Sequence, residues 1–402
     1  MFPVAYVHSK APWRIAVVSS LLAFLVGCSA QAAQPAASPA ATASSSIPAQ
    51  SANLSPPNEG EPTPSQPATP PSPPIPTVTA DVVLIGSELE GMYLARAAAD
   101  EGLTVKVIDP RDKPGGQLLQ GEMQFLDAVL DNSGKGKLIA QGRFKELITG
   151  FRNGKIRKQS EFVAYYDKLA KGVPIESGVQ IQDIEKTPGL NGQPKISSVT
   201  YKAKDGSLHK LKADYWVENT DFAALVSKLD VPRQPGLEKF YGAKQVEYMS
   251  AGFMMKFKNV NWKQFQARGY ATVNESYAIG VAPVVKSYKP SNDRILLRGL
   301  NAVNQRDGEV LINALLVFQV DPSDDKSVQD AMELGKKETE LVLQHFKKNM
   351  AGWKNAELNG FPNYLYIREY NHYNAEYNLQ VSDVLGGRMF DDNVSIAGYP
   401  LD

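Results

Sequence analysis

The fold is decided by residues 81–109, which read DVVLIGSELEGMYLARAAADEGLTVKVID. The first apolar run, VVLI, ends at Gly86 and is typical of a strand that is buried on both faces. The turn that follows leads at Gly91 into a stretch of helical character. A second apolar run at residues 105–108 is closed by Asp109. This order of features predicts a βαβ unit.

The turn between the first strand and the helix has two of the three glycines of a dinucleotide-binding loop. Gly86 stands at the tight turn, and Gly91 stands where helix and strand must approach each other closely. Asp109 follows Gly86 by 23 positions, near the roughly 20 expected for an acid that binds a ribose hydroxyl. The middle glycine is replaced by Glu88, whose carboxylate adds bulk and would repel an anionic ligand that it faced. The loop predicts pyrophosphate binding by Gly86, Ser87 and Gly91, with a Rossmann-like unit that binds no nucleotide as the alternative.

The run after Asp109 reads PRDKPGGQL. Together with the βαβ unit, it resembles the FAD-dependent oxidoreductase family with the glutathione-reductase-type FAD fold. The resemblance implies FAD as cofactor, with Asp109 on the adenosine ribose and Arg111 among the cofactor-binding residues. It also implies that Gly115, Gly116 and Gln117 approach the pyrophosphate and the flavin, since glycines let backbone N–H groups come near a ligand without interference from Cβ. A Pro-Gly-Gly surface turn is the alternative interpretation.

A β-meander is predicted downstream of this run. Its three short antiparallel strands are read at residues 179–184, 196–201 and 208–211. The next stretch, ADYWVENTD at 213–221, resembles the strand that returns to the FAD sheet in this family and closes with a turn over the cofactor. Thr220 and Asp221 are therefore implied at the cofactor, although the glycine that usually stands between them is absent.

These features predict an α/β fold: a Rossmann-like FAD/NAD(P)-binding three-layer domain with a β-meander, plus an inserted α+β substrate domain. The FAD-binding domain is placed at residues 80–235. The substrate-type domain, with an incomplete return to the FAD domain, is placed at 236–402 and includes a long amphipathic helix at 325–350. The family usually adds a glycine-rich segment that contacts the flavin, and nothing up to Asp402 resembles it. The expectation is a truncated chain or a flavin site that is open on one side.

The first 28 residues read as a lipoprotein signal peptide. Lys10 and Arg14 precede an apolar core at residues 15–27, which is too short to span a bilayer but fits a signal peptide. The core ends in LVGC and resembles the lipobox of bacterial lipoproteins, in which the cysteine, here Cys28, is lipidated. A plain secretory signal is the alternative. Residues 29–79 hold 13 of the 27 prolines and no aromatic residue, Lys or Arg, and predict a disordered tether.

The composition argues against several classes of binding site and reaction. The 43 basic and 43 acidic residues balance, which gives no reason to expect a nucleic acid partner. Four scattered histidines and one cysteine show no metal-ligand spacing, so no metal site is predicted. No catalytic acid or base can be named, and no acyl-transfer motif is present. The chain is predicted to be a FAD-dependent oxidoreductase that acts on a small molecule and is lipid-anchored on the extracytoplasmic face of a bacterial membrane. The alternative is a non-catalytic surface-anchored protein on a degenerate FAD-binding scaffold.

Overall fold

A computed structural model describes residues 74–128, 130–131, 136–189, 194–244, 246–268, 272–280 and 282–393. The predicted signal peptide with Cys28, all but the last residues of the predicted tether, and residues 394–402 lie outside the described residues. Within the described ranges, no helix combines the length and the apolar character that crossing a bilayer requires.

The first part of the described chain builds a six-stranded sheet and the helices that cover it. Its elements are β1 (Thr77–Ile85), α1 (Leu89–Asp100), β2 (Val105–Asp109), α2 (Gly116–Leu119), α3 (Gly142–Arg152), α4 (Gln159–Ala170), β3 (Ile175–Ser177), β4 (Gln180–Pro188), β5 (Pro194–Lys202) and β6 (Leu208–Glu218). The strand order is β3-β2-β1-β6-β5-β4. Neighbouring strands among β3, β2, β1 and β6 are parallel. Strands β6, β5 and β4 form an antiparallel meander. The predicted α/β fold with its βαβ unit and meander is confirmed. The third meander strand predicted at 208–211 and the returning strand predicted at 213–221 are one continuous strand, β6, which pairs with both β5 and β1.

Strand β1 lies at the centre of this sheet because its aliphatic residues are buried on both faces. Leu84 is fully buried in a core cluster with helical residues such as Met92 and Phe162. Val83 points to the other face and packs in a second cluster with Val199 and other residues of the meander. Each such side chain contributes about 1.5–3 kcal/mol to folding. Helices thus cover one face of the parallel strands, and residues of the meander pack against the other.

The strand begins at Thr77, three residues before the boundary predicted at Ala80. Residues 77–80 extend the parallel pairing with β6, where their partners are residues 210–213. The proline-rich sequence that precedes this segment hid the extension, because the pairing partner lies more than 130 positions away along the chain.

The second part of the described chain builds an antiparallel sheet with a long helix against it. Its elements are α5 (Leu237–Tyr241), β7 (Ala251–Lys258), α6 (Trp262–Ala267), β8 (Thr272–Val273), β9 (Tyr277–Gly280), α7 (Ala282–Lys286), β10 (Ile295–Arg306), β11 (Glu309–Val317), α8 (Asp325–Asn349), β12 (Glu357–Leu358) and α9 (Val381–Gly386). The strand order is β12-β7-β11-β10-β9-β8. Helix α8 corresponds to the predicted amphipathic helix. It packs closely on β7, since a Cβ atom on Gly335 would lie 2.3 Å from the Phe253 ring.

After β12 the chain comes back to the first sheet. The backbone N–H groups of Asn363 and Tyr364 both donate to the Gln120 carbonyl at 3.0 Å. The Ile367 N–H donates to the Gln117 side chain at 3.1 Å. A partly buried ion pair between Lys256 of β7 and Glu122, 2.8 Å apart, adds a further link. These contacts place residues from the C-terminal part beside the segment that follows β2.

Candidate cofactor-binding site

The loop after β1 is wedged between the ends of two neighbouring strands. The Gly86 N–H donates to the Ile108 carbonyl at 2.7 Å, and the Asn219 N–H donates to the Ile85 carbonyl at 2.7 Å. Gly86 has a φ of +98°, and a Cβ atom there would lie 2.1 Å from the Asn219 carbonyl oxygen. Both the backbone angle and the close approach require glycine. The predicted tight-turn glycine is thus fixed at the carboxyl ends of β2 and β6.

Asp109 closes the loop onto the end of β2. Its fully buried carboxylate accepts the Ser87 N–H at 3.0 Å, the Ser87 hydroxyl, and the Arg111 N–H at 2.8 Å. The Ser87 hydroxyl oxygen in turn accepts the Gly115 N–H at 2.9 Å, and the Ser87 carbonyl accepts the Tyr166 hydroxyl at 2.8 Å. The structure therefore brings Ser87, Asp109 and Gly115 together in one bonded unit. The ribose contact of Asp109 stays a prediction.

Glu88, which replaces the middle glycine, turns its side chain inward. Its carboxylate lies 2.5 Å from Arg111 Nη1 and accepts the Gln117 backbone N–H at 2.8 Å. A Cβ atom on Gly116 would lie 2.1 Å from the same carboxylate. The space beside the Gly-Gly element is thus filled by the chain's own carboxylate.

The first turn of α1 is capped from another strand. Glu88 stands at the N-cap of α1, but its side chain makes no capping hydrogen bond. The Asn219 amide takes over this role, because its oxygen accepts the Gly91 N–H at 3.1 Å and its nitrogen donates to the Glu88 carbonyl at 3.0 Å. The Asn219 side chain also fills the space beside Gly91, where a Cβ atom would lie 2.0 Å from it. Gly91 is therefore needed for close packing, as predicted, and its neighbour is the end of β6.

Among the described residues, Arg111 is the one cation in contact with the carboxylates of Glu88, Asp109 and Asp221. Besides Glu88, its guanidinium reaches Asp221 at 3.2 Å and Asp109 at 3.4 Å. The guanidinium lies over the face of the Tyr364 ring, with its carbon 5.5 Å from the ring centroid. Arg111 is buried, and its Nη2 atom has no hydrogen-bond partner among the described residues. A buried guanidinium with an unused donor is suited to bind an anionic group.

Of the remaining predicted residues, Gln117 and Asp221 lie beside the same cation, and Thr220 does not. The Gln117 side-chain nitrogen donates to the Asp221 carboxylate, and its oxygen accepts the Ile367 N–H. Thr220 turns away, because its hydroxyl and its N–H both donate to the Glu218 carboxylate at 2.8 and 2.9 Å. Asp221 and Gln117 thus lie beside Arg111, while the Thr220 hydroxyl holds the turn at the end of β6.

Burial controls the protonation of this cluster. It raises the pKa of the Glu88 carboxyl to about 7, against the opposing effect of the Arg111 guanidinium. Burial also raises the pKa of Asp221. For Arg111, burial alone would lower the pKa, but the carboxylates of Asp221 and Glu88 raise it above its ordinary value. Arg111 therefore stays charged, while Glu88 gains or loses its proton near neutral pH.

A cavity of about 800 Å³ opens on the other side of Arg111. Its lining includes Val179 at the start of the meander, Lys113 after β2 and the rings of Phe222 and Tyr364. The Phe222 ring centroid lies 6.0 Å from the Arg111 guanidinium carbon. The cavity thus combines aromatic surface with three cations, Arg111, Lys113 and Lys228, and two acids, Asp112 and Asp325. The excess of cations and the flat rings suit a flat, partly anionic ligand.

Residues of the site that were not predicted from the sequence include Asn219, Phe222 and Tyr364. Asn219 precedes the predicted Thr220, and its position at the end of a returning strand was the signal that could have identified it. Tyr364 is one of several tyrosines that gather late in the sequence, which is a signal for a pocket lining as well as for core packing. Only the fold shows that it reaches Arg111 from about 250 positions away along the chain. Glu88 was recognised only as an obstacle, and its pairing with Arg111 was not foreseen.

Comparison with known proteins places the chain in a family. The family model described as "FAD dependent oxidoreductase" matches residues 81–402. No curated protein matches the chain. Among solved structures, the chain is similar to a geranylgeranyl bacteriochlorophyll reductase-like protein from Thermoplasma acidophilum, with 12% identity and a TM-score of 0.39 over 71% of this chain and 65% of that one. It is also similar to p-nitrophenol 4-monooxygenase from Pseudomonas putida DLL-E4, with 12% identity and a TM-score of 0.36 over 74% of this chain and 68% of that one.

The TM-scores of these solved structures are too low to decide anything about this chain's activity, and the chain spans 65% of the first of them. The family model, by contrast, covers the whole described structure from within β1 onward and most of the sequence. The resemblance noted from the residues is confirmed by this match. The chain belongs to the FAD dependent oxidoreductase family, whose cofactor is FAD.

Proposed function

We propose that this protein is a flavin-dependent oxidoreductase that binds FAD between the loop after β1 and the cavity beside Arg111, and that acts on a small-molecule substrate. The observation that supports it is the buried Arg111 guanidinium, which has an unused donor at Nη2 and faces an aromatic-lined cavity. When bound, FAD supplies reversible uptake of electrons by its ring system.

The chain's own residues would bind and orient the cofactor. Arg111 and the Gln117 N–H are donors for an anionic group, and the rings of Phe222 and Tyr364 offer flat apolar surface. Glu88 occupies the Gln117 N–H and one arm of the guanidinium, Arg111 Nη1, and its carboxylate lies against Gly116. The residues suit the anionic part of FAD when this carboxylate moves aside.

Flavin retention tests the proposal. The purified full-length chain, incubated with excess FAD and then desalted, is expected to keep flavin and show its visible absorbance bands. FMN is the matched control, because it lacks the adenosine that the cavity would hold, and we expect most of it to be lost on desalting. A colourless protein that unfolds cooperatively would count against the proposal.

A second candidate is a non-catalytic protein on the same scaffold. The observation that favours it is the position of the Glu88 carboxylate, which takes the Gln117 N–H and the space beside Gly116. A chain that needs no cofactor could keep this arrangement permanently. The flavin experiment separates the two candidates, because the scaffold would retain neither FAD nor FMN.

We further propose that the protein is attached to the extracytoplasmic face of a bacterial membrane through a lipid on Cys28. The support is in the sequence, where the only cysteine follows an apolar core and Gly27. Two or more acyl chains give stable anchoring, whereas one gives marginal binding.

A substitution tests the lipid anchor. In a bacterial host, Cys28→Ser is expected to abolish incorporation of a labelled fatty acid and to move most of the protein out of the membrane fraction. Ser29→Ala, a conservative change one residue further on, should leave both unchanged. Labelling that survives Cys28→Ser would contradict the proposal.

A further inference from the structure

The Glu88 side chain has the contacts of a bound anion. Its carboxylate accepts a backbone N–H from Gln117 at 2.8 Å, pairs with Arg111 at 2.5 Å, and fills the space that the missing Cβ of Gly116 leaves. Backbone N–H groups next to glycines, together with an arginine, are a donor set that also suits phosphate groups. The chain thus supplies the anion for this donor set from its own loop.

We propose that Glu88 is a built-in occupant of the diphosphate subsite, so that FAD binds only by displacing its carboxylate from the Gln117 N–H and from Arg111. The inference rests on the proposed function, because it specifies how that cofactor site is controlled. Glu88 is therefore the residue that sets the affinity of this chain for a diphosphate-bearing ligand.

The backbone of the loop does not depend on the Glu88 side chain. Glu88 has an ordinary extended backbone, with φ of −61° and ψ of 156°, and stands on the turn between β1 and α1. Its side chain makes no capping bond to α1, and the helix cap is supplied by Asn219 instead. Rotation of the Glu88 side chain therefore releases both donors while the loop keeps its other hydrogen bonds.

Charge gives Glu88 a second effect on an anionic ligand. Three carboxylates, Glu88, Asp109 and Asp221, surround the one guanidinium of Arg111. With all four groups ionised, the cluster has a formal excess of two negative charges, which repels a diphosphate. Asp109 and Asp221 stay in the cluster when Glu88 is removed, so the substitution halves this excess. It leaves Arg111 Nη1 bonded to Asp221 alone, beside the unused Nη2.

The test compares three ligands on four forms of the full-length chain. The forms are the natural chain, Glu88→Gly, Glu88→Gln and Glu90→Gln. Glu90 is the matched control, because it is an exposed acid two positions further on, in the first turn of α1. Dissociation constants for FAD are read from flavin fluorescence, and those for ADP and adenosine from calorimetry. Cooperative thermal unfolding of each form shows that it is folded.

We expect the Glu88 substitutions to raise the affinity only for ligands that carry a diphosphate. Glu88→Gly should bind FAD and ADP at least tenfold more tightly than the natural chain does, while its affinity for adenosine stays within about twofold. Glu88→Gln, which removes the charge and keeps the bulk, should show an intermediate gain. Glu90→Gln should match the natural chain. Since Glu88→Gln keeps the size of the side chain, it preserves the test if Glu88→Gly fails to fold.

Two outcomes would overturn the inference and leave the proposed function standing: Glu88→Gly binding FAD no more tightly than a natural chain that itself binds it, or an equal gain from Glu90→Gln. A third outcome is that FAD and ADP bind to none of the four folded forms. That result would overturn the proposed function together with the inference.

Discussion

Replacing Arg111 by methionine is expected to lower the free energy of unfolding by about 3–5 kcal/mol, because the substitution leaves buried carboxylates without their cation. Glu88, Asp109 and Asp221 all contact this guanidinium, and Asp109 is fully buried. Methionine keeps much of the apolar volume of the side chain, so the loss reports the charge more than a cavity. The measurement is urea unfolding at pH 7.5, and retention of FAD should be lost in the same variant.

Two further variants make the Arg111 result specific. Lys113→Met removes an exposed cation from the lining of the same cavity, and it should change stability by less than about 0.5 kcal/mol. Adding Glu88→Gln to Arg111→Met should recover part of the lost stability, because it removes one of the unpaired charges. If Arg111→Met is as mild as Lys113→Met, the buried cluster does not need its cation.

Gly86→Ala is expected to destabilise the fold by more than about 4 kcal/mol, or to prevent recovery of folded protein, which puts it among the largest single-residue effects. The φ of +98° disfavours any residue with a Cβ atom, and the new Cβ would lie 2.1 Å from the Asn219 carbonyl oxygen and 2.5 Å from its carbon. These are backbone atoms that hold the end of β6 against β1, and they cannot rotate out of the way. Thermal and urea unfolding measure the loss.

Gly102→Ala separates the two causes. Gly102 has a similar φ of +85° but no atom within 4 Å of the position of a Cβ. The expected loss there is about 1–2 kcal/mol, from the left-handed backbone alone. The difference between the two variants then measures the contact between the loop and β6. Equal losses would mean that the loop relaxes away from Asn219 without difficulty.

The βαβ unit and the meander could be predicted from the sequence because the patterns that indicate them are local. The apolar run of β1, the helix that follows and the run of β2 all lie within residues 81–109, and the meander strands follow one another at short spacing. The return of a strand to the FAD sheet followed from the family resemblance. These parts needed no knowledge of which distant residues meet.

The electrostatics of the site could not be predicted in the same way. Glu88 was visible as a departure from the glycine pattern, but the direction of its side chain depends on Arg111, 23 positions later, and on the backbone of Gln117. The Asn219 cap on α1 and the Tyr364 ring below Arg111 come from still more distant parts of the chain. Such contacts depend on which distant segments of the chain meet in the fold, and the local hydrophobic pattern of the sequence carries no information about that.

The pairing of Thr77–Ile85 also has a mechanical consequence. Strand β1 is the first strand of the described chain, and it is hydrogen-bonded in parallel to β2 on one side and to β6 on the other. A force that reaches the folded part from the N-terminal side therefore pulls β1 along its own axis. The two ladders then share the load, so many bonds must break at once rather than one after another. A protein attached to a surface by its N-terminal end would carry this tension on a strand that is paired on both sides.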